Sequence, residues 1–156
     1  MARSLSIPRP PAALTRALAR WAPLAAAVAG ALALIVSEFL VLREIRAVTA
    51  VPAGGVTRGG AHHGYALAIL GAVMLPMAWG AVRGSSRPAA VALLVLALAA
   101  AGIVLAADVP WLDETGELGR TYALAQASPR AGFWLECAGA ALALAAAVAA
   151  LLRLRR

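Results

Sequence analysis

Four long apolar runs decide most of what this chain can become: Trp21 to Leu42, Gly64 to Val82, Pro88 to Ala107 and Ala131 to Leu152. A helix needs about 20 apolar residues to cross the hydrocarbon core of a bilayer. In that solvent each backbone N–H and C=O must find its partner inside the protein, which favours helices. The runs therefore predict an all-α integral membrane four-helix bundle with four transmembrane helices and both termini on the same side. Composition agrees: 63% of the residues are hydrophobic and 13% charged, against roughly 45–50% and 25% in soluble domains.

The organisation follows from the runs. Residues 1–20 form a basic cytoplasmic tail opened by Pro8-Arg9-Pro10-Pro11, residues 21–152 a single transmembrane domain, and residues 153–156 a second basic tail. The first run is longer than the 7–15 residues of a signal-peptide core. Glu38, Arg43, Glu44 and Arg46 also separate it from the small residues Val48-Thr49-Ala50, so it reads as a retained span. Pro76 lies well inside the second run and predicts a kink near residues 72–76, because its ring clashes with the carbonyl of Ala72. The link Arg83 to Arg87 is short enough to make spans two and three antiparallel neighbours. Between Arg43 and His63, Pro52-Ala53-Gly54-Gly55 and Gly59-Gly60 read as turns in a loop. The connection Asp108 to Arg130 is the longest and most acidic, and its stretch Leu118 to Ala127 has the spacing of a short surface helix.

Charge sets the orientation. The net charge is +7, every basic residue is arginine, and the arginines flank the apolar runs instead of forming a nucleic-acid stripe. Arg3, Arg9, Arg16, Arg20, Arg83, Arg87, Arg153, Arg155 and Arg156 fall on the side of the termini; Arg43, Arg46, Arg58, Arg120 and Arg130 fall on the other. Positive residues mark the cytoplasmic face, so the sequence predicts a multi-pass protein of the inner (plasma) membrane with both termini cytoplasmic. Richness in Ala, Gly, Pro and Arg without Lys points to a GC-rich, bacterial coding sequence. The lipid bilayer is the expected partner, with a homo-oligomer or another membrane protein as a further one, and no nucleic acid.

Helices in lipid associate through close packing of small residues and through polar contacts. At about 100° per residue, Gly132, Glu136, Gly139, Ala140, Ala143, Ala147 and Ala150 share one face of the fourth span. That face is the expected packing surface.

Few residues carry chemistry. Glu38 and Glu136 are the carboxylates within apolar runs, at similar outer depths, and an intramembrane acid is a functional-site hypothesis by default. His62-His63 stands at the outer mouth of the second span; adjacent histidines on a helix point about 100° apart, which makes them a poor chelating pair. The outer segment carries Asp108, Asp113, Glu114 and Glu117 without the ligand spacing of a calcium loop. Cys137 stands alone, which excludes an internal disulfide and a cysteine-based zinc site. No catalytic set, metal site or cofactor motif emerges. The sequence thus favours a non-enzymatic accessory, assembly or envelope component, with a small proton- or cation-coupled transporter or channel using Glu38 and Glu136 as the alternative.

Overall fold

A computed structural model describes residues 12–47, 53–122 and 124–155. The chain runs α1 (Ala12–Ser37), β1 (Val41–Ala47), β2 (Ala53–Arg58), α2 (Gly59–His63), α3 (Ala66–Val82) and α4 (Arg87–Ile103). A π turn (Val104–Asp108) then leads to α5 (Val109–Trp111), α6 (Gly116–Thr121), β3 (Ala125–Pro129) and α7 (Ala131–Arg153).

The all-α expectation holds only in its coarser form. The chain is mostly helical, but β1, β2 and β3 form a three-stranded antiparallel sheet in the order β2-β1-β3. Glu44 sits opposite Val56 on one side and Ser128 on the other. The segment expected as a loop before His63 is therefore a hairpin, and the expected helix from Leu118 to Ala127 stops at Thr121 and becomes β3. The first apolar run also leaves the helix early, after Ser37, so that Val41 and Leu42 belong to the sheet.

By length and composition two helical stretches, Arg87–Thr121 and Ala131–Arg153, are long and apolar enough to cross a membrane. Trp21–Ser37 and Ala66–Val82 are shorter apolar helices. α3 is continuous through Pro76. Residues 1–11, with the proline-rich tail, lie outside the described residues, as do Val48 to Pro52 with the cleavage-like triplet, and Arg156.

The four long helices pack up-down-up-down. α1 touches α3 and α7, and α4 touches the same two, which leaves α1 and α4 on one diagonal. Their shared core is built from small residues around a few large ones: Ala27, Ala31, Ala78, Ala97, Ala143 and Ala147 surround Leu34, Leu67, Met74 and Leu93. The predicted smooth face of α7 is the buried one, with Gly132, Gly139, Ala140, Ala143 and Ala147 all inside. Where α1 crosses α7, a Cβ on Gly30 would stand 2.8 Å from both the Ala143 nitrogen and the Gly139 oxygen. Only hydrogen fits between these backbones. Ser86 caps α4, its hydroxyl accepting from the Ala89 N–H at 3.4 Å.

The sheet lies at the end of the bundle where α1 and α4 finish and α3 and α7 begin. Arg130 N–H donates to the Leu42 carbonyl at 2.8 Å, and Gly60 N–H to the Glu38 carbonyl at 2.7 Å. These bonds tie the strands to the helix ends beneath them.

Candidate functional site

The polar residues of the helical runs meet at that end. Glu38 is the first residue past α1 and is 1% exposed. Its Oε1 accepts the Leu67 N–H at 2.8 Å. This is one of the donors that the first turn of α3 cannot satisfy by itself, and a carboxylate there also faces the positive end of the helix dipole. One oxygen of Glu38 is thus committed to structure. The other, Oε2, points to His63 Nδ1 at 3.6 Å.

His63 is aimed by an unusual backbone. α2 ends on it, and the next two residues, Gly64 and Tyr65, both take left-handed conformations, with φ of 59° and 63°. A bulky side chain at positive φ is strained, and such strain persists only where surrounding contacts enforce it. The ring of Tyr65 packs on Phe39, next to Glu38 in the chain. The sharp turn lets α3 start afresh, and the His63 ring faces Asp108 in the π turn after α4.

Asp108 completes the contact from the far side. It closes the π turn that follows α4, and the wider turn delivers its carboxylate to the buried interior, 0% exposed. Single π turns within helices recur at functional sites. His63 Nε2 lies 2.6 Å from Asp108 Oδ1, and His62 Nε2 lies 3.3 Å from the same oxygen. The sequence reads these neighbouring histidines as a poor chelating pair; in the structure both face Asp108. The two rings stand at 65° to each other, and both Nε2 atoms reach one carboxylate oxygen of Asp108.

Glu136, in the second turn of α7, is 0% exposed, and its Oε1 is 4.0 Å from His63 Nδ1. The hydroxyl of Ser37 stands close to it but donates to the Leu34 carbonyl at 2.8 Å, so its one proton is used. Glu38 Oε2, His63 Nδ1, Asp108 Oδ2 and both oxygens of Glu136 have no hydrogen-bond partner among the described residues.

Electrostatics separate the two histidines. Burial opposes charge on His63, but the hydrogen bond to Asp108 and the negative charges of Asp108, Glu136 and Glu38 outweigh it and raise its pKa above the ordinary value. For His62, burial comes first, and the charges of His63 and Arg43 add to it against the pull of Asp108 and Glu38; its pKa is lowered.

A cover closes the group. His62 stacks on Trp111 with ring centroids 4.0 Å apart, and the Arg43 guanidinium lies 3.4 Å from the Trp111 centroid. Arg43 also donates to the carbonyls of Trp111 and Glu114. Sequence reasoning missed Arg43, Trp111 and Tyr65 as parts of this arrangement. Arg43 reads in the sequence as one of the arginines that set orientation, and no local pattern places Trp111 or Tyr65 here.

The structure therefore brings Glu38, Glu136, His62, His63 and Asp108 together, and leaves Asp113, Glu114 and Glu117 with exposed side chains away from them. His62, His63 and Asp108 form a group able to hold a metal ion, with their ligand atoms within 4.8 Å of one another. Comparison with known proteins returned no match: neither a family model, nor a curated protein, nor a solved structure resembles this chain.

Proposed function

We propose that this chain is a small four-span protein of the plasma membrane, with cytoplasmic termini, that binds a cation in a buried imidazole–carboxylate site at its outer end. The membrane reading is supported by an inverted surface. Each long helix turns large apolar side chains outward: Leu32 and Val36 on α1, Ile69 and Val73 on α3, Val95 and Leu98 on α4, Leu142 and Val148 on α7. Large exposed apolar patches are uncommon on a soluble monomer, and here exposed apolar side chains lie on α1 and α3 as well as on the two longer helical stretches. A span needs as few as about 17 residues, which α3 has and α1 exceeds.

The cation reading rests on one observation. Three fully buried carboxylates surround a single buried imidazole, and four of their oxygens lack a hydrogen-bond donor among the described residues. Buried charge is costly unless it is paired or coordinates a metal, and one imidazolium cannot balance three carboxylates. A bound cation supplies the missing charge. Binding from the outer compartment, without catalysis, is the activity this arrangement fits. The accessory-subunit reading has no comparable feature, since the outer acids Asp113, Glu114 and Glu117 do not converge.

Thermal unfolding of the chelator-treated full chain in detergent, repeated with Na⁺, K⁺, Mg²⁺, Ca²⁺, Mn²⁺ and Zn²⁺, tests it. At least one cation is expected to stabilise the protein, by about 2.7 kcal/mol at a hundredfold excess over its dissociation constant. Glu136→Gln is expected to raise the stability of the cation-free protein and to blunt that response. If no cation shifts the transition, the carboxyls are neutralised by protons and the proposal fails. Reporter tags placing the two termini in different compartments would refute the topology.

A further inference from the structure

Resting on that cation site, we infer that the ion it takes is a transition-metal dication of the zinc class, held by Nε2 of His62, Nε2 of His63 and the carboxylate of Asp108. Two of the three donors are imidazoles. Magnesium and calcium take six or more ligands, nearly all oxygen, whereas imidazole suits zinc, cobalt, nickel and copper. Donor spacing agrees for one of the three pairs. Bonds of about 2.0–2.1 Å in a tetrahedron set ligand atoms roughly 3.3 Å apart, and His62 Nε2 stands 3.3 Å from Asp108 Oδ1. His63 Nε2, at 2.6 Å from that oxygen, hydrogen-bonds where the metal would stand between them. Small rotations of the two side chains open that gap.

The surroundings of His63 carry the argument further. A metal-bound histidine commonly donates its other ring N–H to a carboxylate, which fixes the tautomer and strengthens the ligand. With Nε2 on the metal, Nδ1–H faces Glu38 Oε2 and Glu136 Oε1, at 3.6 Å and 4.0 Å. Neither oxygen has another donor among the described residues. Asp108 Oδ2 is likewise free to share in coordination. The buried group is thus arranged as an acid-backed histidine ligand: outer donors for the metal, inner carboxylates for the ring.

Access comes through His62. Its side chain is 21% exposed, while those of His63 and Asp108 are 4% and 0% exposed. Three protein donors leave a fourth position for water or for an exchanging ligand, as in zinc sites that do not stay closed. Trp111 stacks on the His62 ring at this more exposed side of the group.

The test uses the full chain without a polyhistidine tag, purified in detergent, chelator-treated and titrated with Co²⁺ and Zn²⁺. One equivalent of Co²⁺ is expected to bind with the visible absorption of a nitrogen-ligated, four-coordinate ion, to be displaced by Zn²⁺, and to survive a thousandfold excess of Mg²⁺ or Ca²⁺. Asp108→Asn is expected to abolish binding. His62→Ala, at the partly exposed position, is expected to weaken it at least tenfold while the protein stays folded. Glu136→Gln is expected to weaken it by about 10–100-fold. If Mg²⁺ or Ca²⁺ competes equally with Co²⁺, or His62→Ala binds as the parent does, this inference is overturned and the cation site stands. If no cation of any kind binds or stabilises, both fall together.

Discussion

Two glycine-to-alanine changes, placed at different points of the same bundle, isolate what holds α1 against α7. At Gly30 a new Cβ would lie 2.8 Å from the Ala143 nitrogen and 2.8 Å from the Gly139 oxygen, both backbone atoms of the opposite helix. Ordinary contact begins near 3.4 Å, so the crossing must open by roughly 0.6 Å, a gap that forfeits a quarter to a half of each neighbouring contact's attraction. Overpacking of this kind costs about 1–3 kcal/mol. At Gly102, in α4, a Cβ meets nothing within 4 Å. Both positions gain the helix propensity of alanine over glycine, about 1 kcal/mol. That gain cancels when the two variants are compared, and the difference between them is the steric cost alone. Gly30→Ala is therefore expected to be about 1–3 kcal/mol less stable than Gly102→Ala, and Gly102→Ala at least as stable as the parent. Reversible unfolding in mixed micelles, titrated with a denaturing detergent, measures both. Equal stabilities, or Gly102→Ala as the weaker variant, would refute the reasoning. The crossing lies one helical turn from Glu136, so Gly30→Ala should also reduce cation affinity, by shifting Glu38 relative to Glu136.

Ser86→Ala removes the cap of α4 and is expected to cost about 1 kcal/mol; unfolding midpoints should fall for this variant and recover for Ser86→Asn, and no change in either would deny the cap its role. The Glu44 carboxylate, hydrogen-bonded first by Arg46 and also by Arg130, has its pKa held below the ordinary carboxylate value. A depressed folded-state pKa gives stability that is present above the unfolded value, about 4.3, and lost as pH falls through the folded one. The stability difference between the parent and Glu44→Gln should therefore shrink on acidification below that point; a difference that stays flat across the carboxylate range would show that the pair contributes nothing.

The helices were legible because their signals are local and long. The runs starting near Gly64, Pro88 and Ala131 begin within a few residues of α3, α4 and α7, whereas α1 starts at Ala12, inside the expected tail, and ends before Leu42. The small face of α7 followed from its period. The sheet was not legible. β2 is Ala53-Gly54-Gly55-Val56-Thr57-Arg58, poor in strand-forming residues, and β1 shows no clean alternation of buried and exposed positions. β1 pairs with β2 on one edge and with Ala125–Pro129, about eighty residues away, on the other. The depth shared by Glu38 and Glu136 could be counted from the runs. Their convergence on His63 depends on two consecutive left-handed residues and on a π turn, neither of which periodicity predicts. Asp108 read as the first residue of an acidic loop; the π turn makes it an interior residue.

These irregularities explain why the site lies where it does. Within a regular helix the backbone satisfies itself, and the faces of a bundle like this one are filled by Ala, Gly and Leu. A buried carboxylate finds unused backbone donors only where a helix begins or breaks, as Glu38 does at Leu67. Such ends fray unless something holds them, and here the sheet does. β1 starts three residues after Glu38, β2 runs directly into α2 and its two histidines, and β3 ends at Pro129, just before α7 and Glu136. Arg43 of β1 reaches the carbonyls of Trp111 and Glu114 and so restrains the chain that follows Asp108. Each group of the site is thus tied to one of three strands whose register fixes them all. A slip of one residue in that register would reverse the faces of the slipped strand and displace at least one of these groups, so the small sheet is better understood as the clamp of the site than as an ornament on the bundle.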